Sequence, residues 1–199
     1  GNPTNAHAWR TPSPRNAMTF LLRELQANTS ERSTFVYLSD GGHFENLGLY
    51  ELVRRRCRRI VASDASADPD YRFADLADAI RKVRVDFNVV IEFDQNLDLL
   101  RPSTGSVGEE VDIGATFAVA SVHYPETPAE AAFIGKLYYL KPTLPVDRSA
   151  DIGHYASAHP EFPHETTADQ WFDESQFESY RELGYFLGTK MIESDRWPD

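Results

Sequence analysis

Three short β-rich runs, Thr34 to Leu38, Ile60 to Ser63 and Val89 to Phe93, alternate with two stretches of helical periodicity, and no other feature restricts the fold as much. Parallel strands need a crossover between them and a helix supplies it, so strand, helix, strand, helix, strand is the pattern of a parallel α/β sheet. The first run is almost wholly apolar, as in a strand buried on both faces, and it leads directly into Asp40-Gly41-Gly42. A helix is predicted over about 47 to 56. Asn46 serves as its cap, and Arg54, Arg55, Arg56, Arg58 and Arg59 crowd its C-terminal end, where cations offset the macrodipole. Phe73 to Asp86 is the second helix, with Phe73, Leu76, Ile80 and Val83 on one face.

The flanking segments extend this reading. Residues 1 to 16 contain Pro3, Pro12 and Pro14 and read as an extended arm, and Met18, Leu21, Leu22 and Leu25 define a short amphipathic helix over 17 to 27. After a polar connection over 94 to 112, Ala115 to Tyr124 and Ala132 to Lys141 form a hairpin pair. Residues 142 to 169 read as loop, and Thr167 with Gln170 makes a capping box for a last helix ending near Ile192. On that helix Phe177, Tyr180, Leu187 and Met191 share a stripe. The expected organisation is an arm over 1 to 16 and a single α/β domain over 17 to 195.

Size and charge narrow the functional classes. A chain of 199 residues with 41% hydrophobic and 12% aromatic content can bury one sizeable core. With 31 acidic against 20 basic side chains the net charge is −11, which disfavours nucleic acid and anionic membranes as partners. One cysteine, Cys57, excludes an intramolecular disulfide and a zinc site of several thiolates. No apolar run approaches the ~18 residues of a membrane span and no signal-peptide pattern is present, so the expected location is cytoplasmic or peripheral to a membrane. The start at Gly1 rather than Met suggests a fragment or processing boundary.

The candidate site is the Asp-Gly-Gly turn. Asp40 stands at the carboxyl end of a buried strand, where open α/β sheets bind ligands, and the two glycines permit a sharp turn with positive φ and a close approach to the carboxylate. Read by spacing alone, the same residues also describe an ordinary turn. His43, Glu45 and Asn46 complete the surroundings, with Glu45 and Asn46 expected to hold the start of the next helix. No cofactor and no metal is expected; were a metal bound, Asp40, His43 and Glu45 would be its ligands. His164-Glu165-Thr166-Thr167-Ala168 lacks the second histidine of the zinc signature His-Glu-x-x-His.

The block Asp40-Gly41-Gly42 through Phe44-Glu45-Asn46-Leu47-Gly48-Leu49-Tyr50-Glu51-Leu52, with Arg59-Ile60-Val61-Ala62-Ser63-Asp64-Ala65-Ser66 after it, resembles the second half of a bacterial patatin-like phospholipase domain. So does the tail from His159-Pro160-Glu161-Phe162-Pro163-His164 to Tyr180-Arg181-Glu182-Leu183-Gly184. The likeness covers roughly residues 17 to 185, and the chain is also similar, more distantly, to the catalytic domain of eukaryotic cytosolic phospholipases. The resemblance implies a three-layer α/β fold with a mostly parallel central sheet flanked by helices, present here as a partial domain. It also implies hydrolysis of lipid acyl esters by a Ser-Asp dyad in which Asp40 is the base. A carboxylate held against a serine hydroxyl can take its proton without an imidazole between them.

The sequence departs from that family in one respect: no Gly-x-Ser-x-Gly occurs, and Gly105-Ser106-Val107-Gly108 has the wrong spacing. The expected partners are therefore a lipid or acyl-ester substrate and an upstream segment or chain carrying the serine and the oxyanion loop, without which the chain is inactive. The alternative is a non-catalytic binding or scaffold module with the same fold. Cys57 as nucleophile, the arginine cluster as a phosphate grip, and Phe172, Phe177, Tyr180 and Tyr185 as an acyl-chain lining are each weaker than packing or solvation as an account of those residues.

Overall fold

A computed structural model describes residues 10–11, 13–30, 32–35, 40–101, 116–145, 148–166 and 168–198. They belong to two units, Gly1–His43 and Phe44–Asp199, and each is described by itself. In the first, helix α1 spans Ala17–Leu25 and buries none of its residues. Phe20 meets Phe35 edge-on at 5.2 Å between ring centroids. From residue 36 onward the strand expected over Thr34 to Leu38 lies outside the described residues, as does most of the expected N-terminal arm.

The second unit runs α2 (Leu49–Arg54), β1 (Arg59–Ser63), α3 (Ala74–Phe87), β2 (Val90–Phe93), β3 (Ala118–Tyr124), β4 (Phe133–Leu140), α4 (Ala150–Ala158) and α5 (Glu174–Ile192). The strands form one sheet in the order β1-β4-β3-β2. β1 pairs with β4 in parallel, from Arg59 opposite Lys136 to Ser63 opposite Leu140, whereas β4 with β3 and β3 with β2 are antiparallel. The sheet of the described residues is therefore mixed: β1, β4 and β2 run the same way, and β3 runs against them. The reason is the β3/β4 hairpin, closed by the Thr127 and Glu130 bridge. A hairpin closes at little entropic cost and stays together, and it enters the sheet as a pair between β1 and β2.

Period-two alternation divides the side chains between two cores. Leu137 and Tyr139 of β4, with Ile60 and Ala62 of β1 and Ala118, Ala120 and Val122 of β3, pack against Leu49 and Val53 of α2 and Leu76, Ala79 and Val83 of α3. Tyr138 and Leu140 point the other way with Val119, onto Ile152 and Tyr155 of α4 and Leu183, Leu187 and Met191 of α5. Helices thus lie on both faces of the sheet. Coverage of the second face is uneven, since Val61, Val90 and Ile134 on it are exposed.

Several local expectations change. α2 begins two residues late because Gly48 precedes it in the left-handed region at φ 67°, a conformation that costs glycine little. Asn46 does not cap α2; its side-chain amide donates to Asp75 Oδ2 in the first turn of α3 at 3.0 Å. The loop expected over 142 to 169 contains α4, whose Ile152, Tyr155 and Ala156 are the i, i+3, i+4 signal of a helix. α5 starts at Glu174, capped by Asp173, whose Oδ1 accepts the Gln176 N–H at 2.8 Å; Thr167 of the expected capping box lies outside the described residues. On α5 the buried stripe is Leu183, Leu187 and Met191, while Phe177 is exposed.

Candidate functional site

Asp40 opens a tight turn in the first unit. Its Oδ1 accepts the Gly42 N–H at 2.9 Å, its carbonyl accepts the His43 N–H at 3.2 Å, and Gly41–His43 form one turn of 3₁₀ helix. Asp40, Gly41, Gly42 and His43 are all exposed. The expected positive φ is not used at either glycine; in this region it occurs at Gly48. A Cβ built on Gly41 would meet nothing within 4 Å, so that side of the turn is open to an approaching group. The carboxylate is thus oriented by its own turn, with Oδ1 on a backbone donor.

Glu45 and Asn46 belong to the second unit and act on its helices. Glu45 accepts the Leu47 N–H through Oε1 at 2.6 Å and the Tyr50 N–H through Oε2 at 3.2 Å. It satisfies backbone donors at the entry and first turn of α2, the capping role expected of it, whereas Asn46 joins α2 to α3. Among the described residues no group of three or more His, Cys, Asp and Glu side chains could hold a metal ion.

The arginines beyond α2 are occupied. Arg54 and Arg55 pair with Glu51 at 2.6 and 2.7 Å, and Arg56 and Arg58 pair with Glu130 at 2.8 and 2.9 Å. Hydrogen bonds from Arg54 first and Arg55 second bring the Glu51 carboxyl down to about 2. Arg59 lies over the Trp197 ring. Cys57 is half-buried against the first core, and its carbonyl accepts the Tyr124 hydroxyl at 2.9 Å.

Sequence reasoning missed a polar cluster at the carboxyl ends of β1 and β4. Asp64 follows β1 and is 1% exposed, and Lys141 follows β4 and is fully buried. Lys141 Nζ donates to Asp64 Oδ1 at 3.2 Å, to the Ser66 carbonyl at 3.0 Å and to Ser66 Oγ at 3.1 Å. Ser66 Oγ donates in turn to Asp64 Oδ1, and the Tyr139 hydroxyl donates to Oδ2. Burial would raise the Asp64 carboxyl, but the hydrogen bonds from Ser66 and Tyr139 and the charge of Lys141 outweigh it, and its proton affinity is lowered. Tyr139 is driven far up, first by burial and then by Asp64.

Ser66 and Asp64 have the connectivity of a serine and its base but the wrong electrostatics. A carboxylate held by four donors is a poor proton acceptor, and Lys141 occupies a lone pair of the hydroxyl. The cluster is a clamp joining the ends of the two parallel strands. The cavity of about 310 Å³ beside it is similarly committed: Asp68 accepts the Arg72 and Phe73 N–H groups, Asp70 pairs with Arg72, and Asp75 takes Asn46. His164 packs its ring edge-on to Tyr71 at 4.8 Å and is 8% exposed. The sequence signal for the clamp was the Asp64-Ala65-Ser66 turn after one strand and a lysine ending another, but nothing in the spacing says that the two strands are neighbours.

Comparison with protein-family models, with curated proteins and with solved structures finds no match to this chain. Among the described residues no helix is long and apolar enough to cross a membrane.

Proposed function

We propose that the chain is the aspartate-bearing part of a patatin-like lipid acyl hydrolase, an esterase or phospholipase acting in the cytoplasm or at the periphery of a membrane, with Asp40 as its general base. One observation carries the reading: the Asp40-Gly41-Gly42 turn presents an exposed, turn-oriented carboxylate with open space beside Gly41. The two sequence blocks that resemble the family support it. The nucleophile is a serine from a segment or chain outside these 199 residues, since no Gly-x-Ser-x-Gly occurs within them. In the reaction the Asp40 carboxylate takes the serine proton as the oxygen attacks the acyl carbonyl. The proton passes to the departing alcohol, and water then releases the acid from the acyl-serine with Asp40 again as base.

A second reading is favoured by the same missing motif and by the clamped state of Ser66: a scaffold or binding module of this fold without hydrolytic chemistry. Esterase activity on a short-chain acyl ester separates the two. It is measured for the 199-residue chain alone and for the chain mixed with or fused to its native upstream segment. Activity that emerges only in the second sample supports the hydrolase; a folded, inactive fusion supports the scaffold.

A further inference from the structure

Within the second unit, the stretch leading into α5 and the first turn of that helix carry three uncovered aromatic side chains. Trp171 is 90% exposed, Phe177 60% and Phe172 44%. The stretch is braced. Asp169 accepts the Trp171 N–H at 3.0 Å and Asp173 caps α5. From within, the Phe172 ring lies nearly parallel to that of Tyr180, and the Tyr180 hydroxyl accepts the Glu165 N–H at 3.2 Å. The next residue inward is His164, against Tyr71, whose hydroxyl bonds Thr143 just beyond β4. Through Phe172 the segment is therefore tied by contacts to the carboxyl ends of β1 and β4, the edge at which sheets with parallel strands bind their ligands.

We infer that Trp171, Phe172 and Phe177 form a docking surface for a lipid–water interface rich in choline headgroups. The inference rests on the lipid hydrolase reading and adds the surface by which the chain meets its substrate. Exposed tryptophan and phenylalanine on a braced segment are suited to the headgroup region, where an aromatic ring is half desolvated and its face attracts a quaternary ammonium. Charge selects the headgroup. Asp169, Asp173 and Glu174 border the aromatics, and Arg181, the cation one turn further along α5, pairs with Glu178 and Glu182. Such a rim repels anionic lipids and complements the trimethylammonium groups at the surface of a phosphatidylcholine membrane.

The test is co-flotation of the full 199-residue chain with phosphatidylcholine vesicles, and with vesicles containing 30 mol% phosphatidylglycerol at the same ionic strength, ~0.1 M. The parental chain floats with the first and less with the second. The Trp171→Ala, Phe177→Ala double variant, altered where the side chains are largely in water and the fold is undisturbed, loses about tenfold or more in partition coefficient, and Trp171→Phe loses less. Equal partition of the double variant, stronger binding to the anionic vesicles, or binding to neither would overturn the inference. So would conversion of a dimer to a monomer by Trp171→Ala without vesicle binding, which would make the patch a contact between proteins. Hydrolysis of a soluble short-chain ester by the chain with its upstream segment is scored separately. If that fails while vesicle binding persists, the hydrolase reading falls; if vesicle binding fails while hydrolysis persists, the docking surface does.

Discussion

Lys141 is fully buried, and its ammonium is balanced by a carboxylate on the end of a strand distant in sequence. Two charges out of water are tolerated only if each keeps the other and all their hydrogen bonds. Lys141→Met removes one partner and leaves Asp64 a buried, uncompensated anion, so urea unfolding should show a loss of about 3–5 kcal/mol. Adding Asp64→Asn removes the orphaned charge and should recover at least half of it; a single variant as stable as the parent would mean that the clamp does not bear on stability. His164 supplies a second test, read against pH. Burial first and the neighbouring Lys141 second lower its proton affinity, against the opposing influence of the Ser66 carbonyl and of Asp68 and Asp64, so the folded state holds it neutral. The unfolded chain takes up the proton near pH 6.5 and the folded chain only at a lower pH, so stability is complete above that value and declines as pH falls below it. His164→Phe keeps a ring against Tyr71 and should flatten the slope between pH 6.5 and 5, leaving the loss at lower pH that comes from protonating Asp64. A slope unchanged by the substitution would assign the acid sensitivity elsewhere.

At the scale of elements, periodicity made β1, α3 and the β3/β4 hairpin legible to within a few residues, because each writes its own buried face into its own sequence, and it gave the end of α5 but neither its start nor its whole buried stripe. Pairing is not written there. The alternating pattern places β1 and β2 in one parallel sheet, and they do run the same way, yet Ile60 lies opposite Leu137 and the hairpin stands between them. The clamp was invisible for the same reason, since Asp64 and Lys141 meet only because β1 and β4 are parallel neighbours whose carboxyl ends coincide. α4 was passed over although Ile152, Tyr155 and Ala156 carry its signal, because histidines, prolines and Gly153 around them gave the segment the composition of a loop. Gly135 of β4 marks how closely the hairpin approaches the chain just before β1: a Cβ there would lie 3.0 Å from the Arg58 carbonyl oxygen and 3.1 Å from the Tyr124 ring. Gly135→Ala should therefore cost about 1–3 kcal/mol in thermal or urea unfolding, against the small gain expected of alanine in an unhindered strand. Neutrality would show that β4 can move away from Arg58 without loss.

The whole molecule combines a well-supported sheet with an exposed site. Two cores hold the second unit, while the residues singled out for chemistry, Asp40 to His43, lie on the surface of the first. In the sequence Asp40 stands out as a candidate through the glycines that follow it and the blocks around it. Its orientation is not legible there, because the turn is held by a hydrogen bond to Gly42 and not by glycine in the left-handed region. The central claim, that Asp40 is the base of a Ser-Asp dyad, meets its most direct test in kcat for a short-chain acyl ester, measured on the chain joined to its upstream segment, parental against Asp40→Asn. Asparagine keeps the size of the side chain and the Gly42 hydrogen bond but cannot accept the serine proton, so kcat should fall by about 100-fold or more with little change in Tm. An Asp40→Asn protein of near-parental kcat, above all one in which His43→Ala abolishes turnover, would contradict the account.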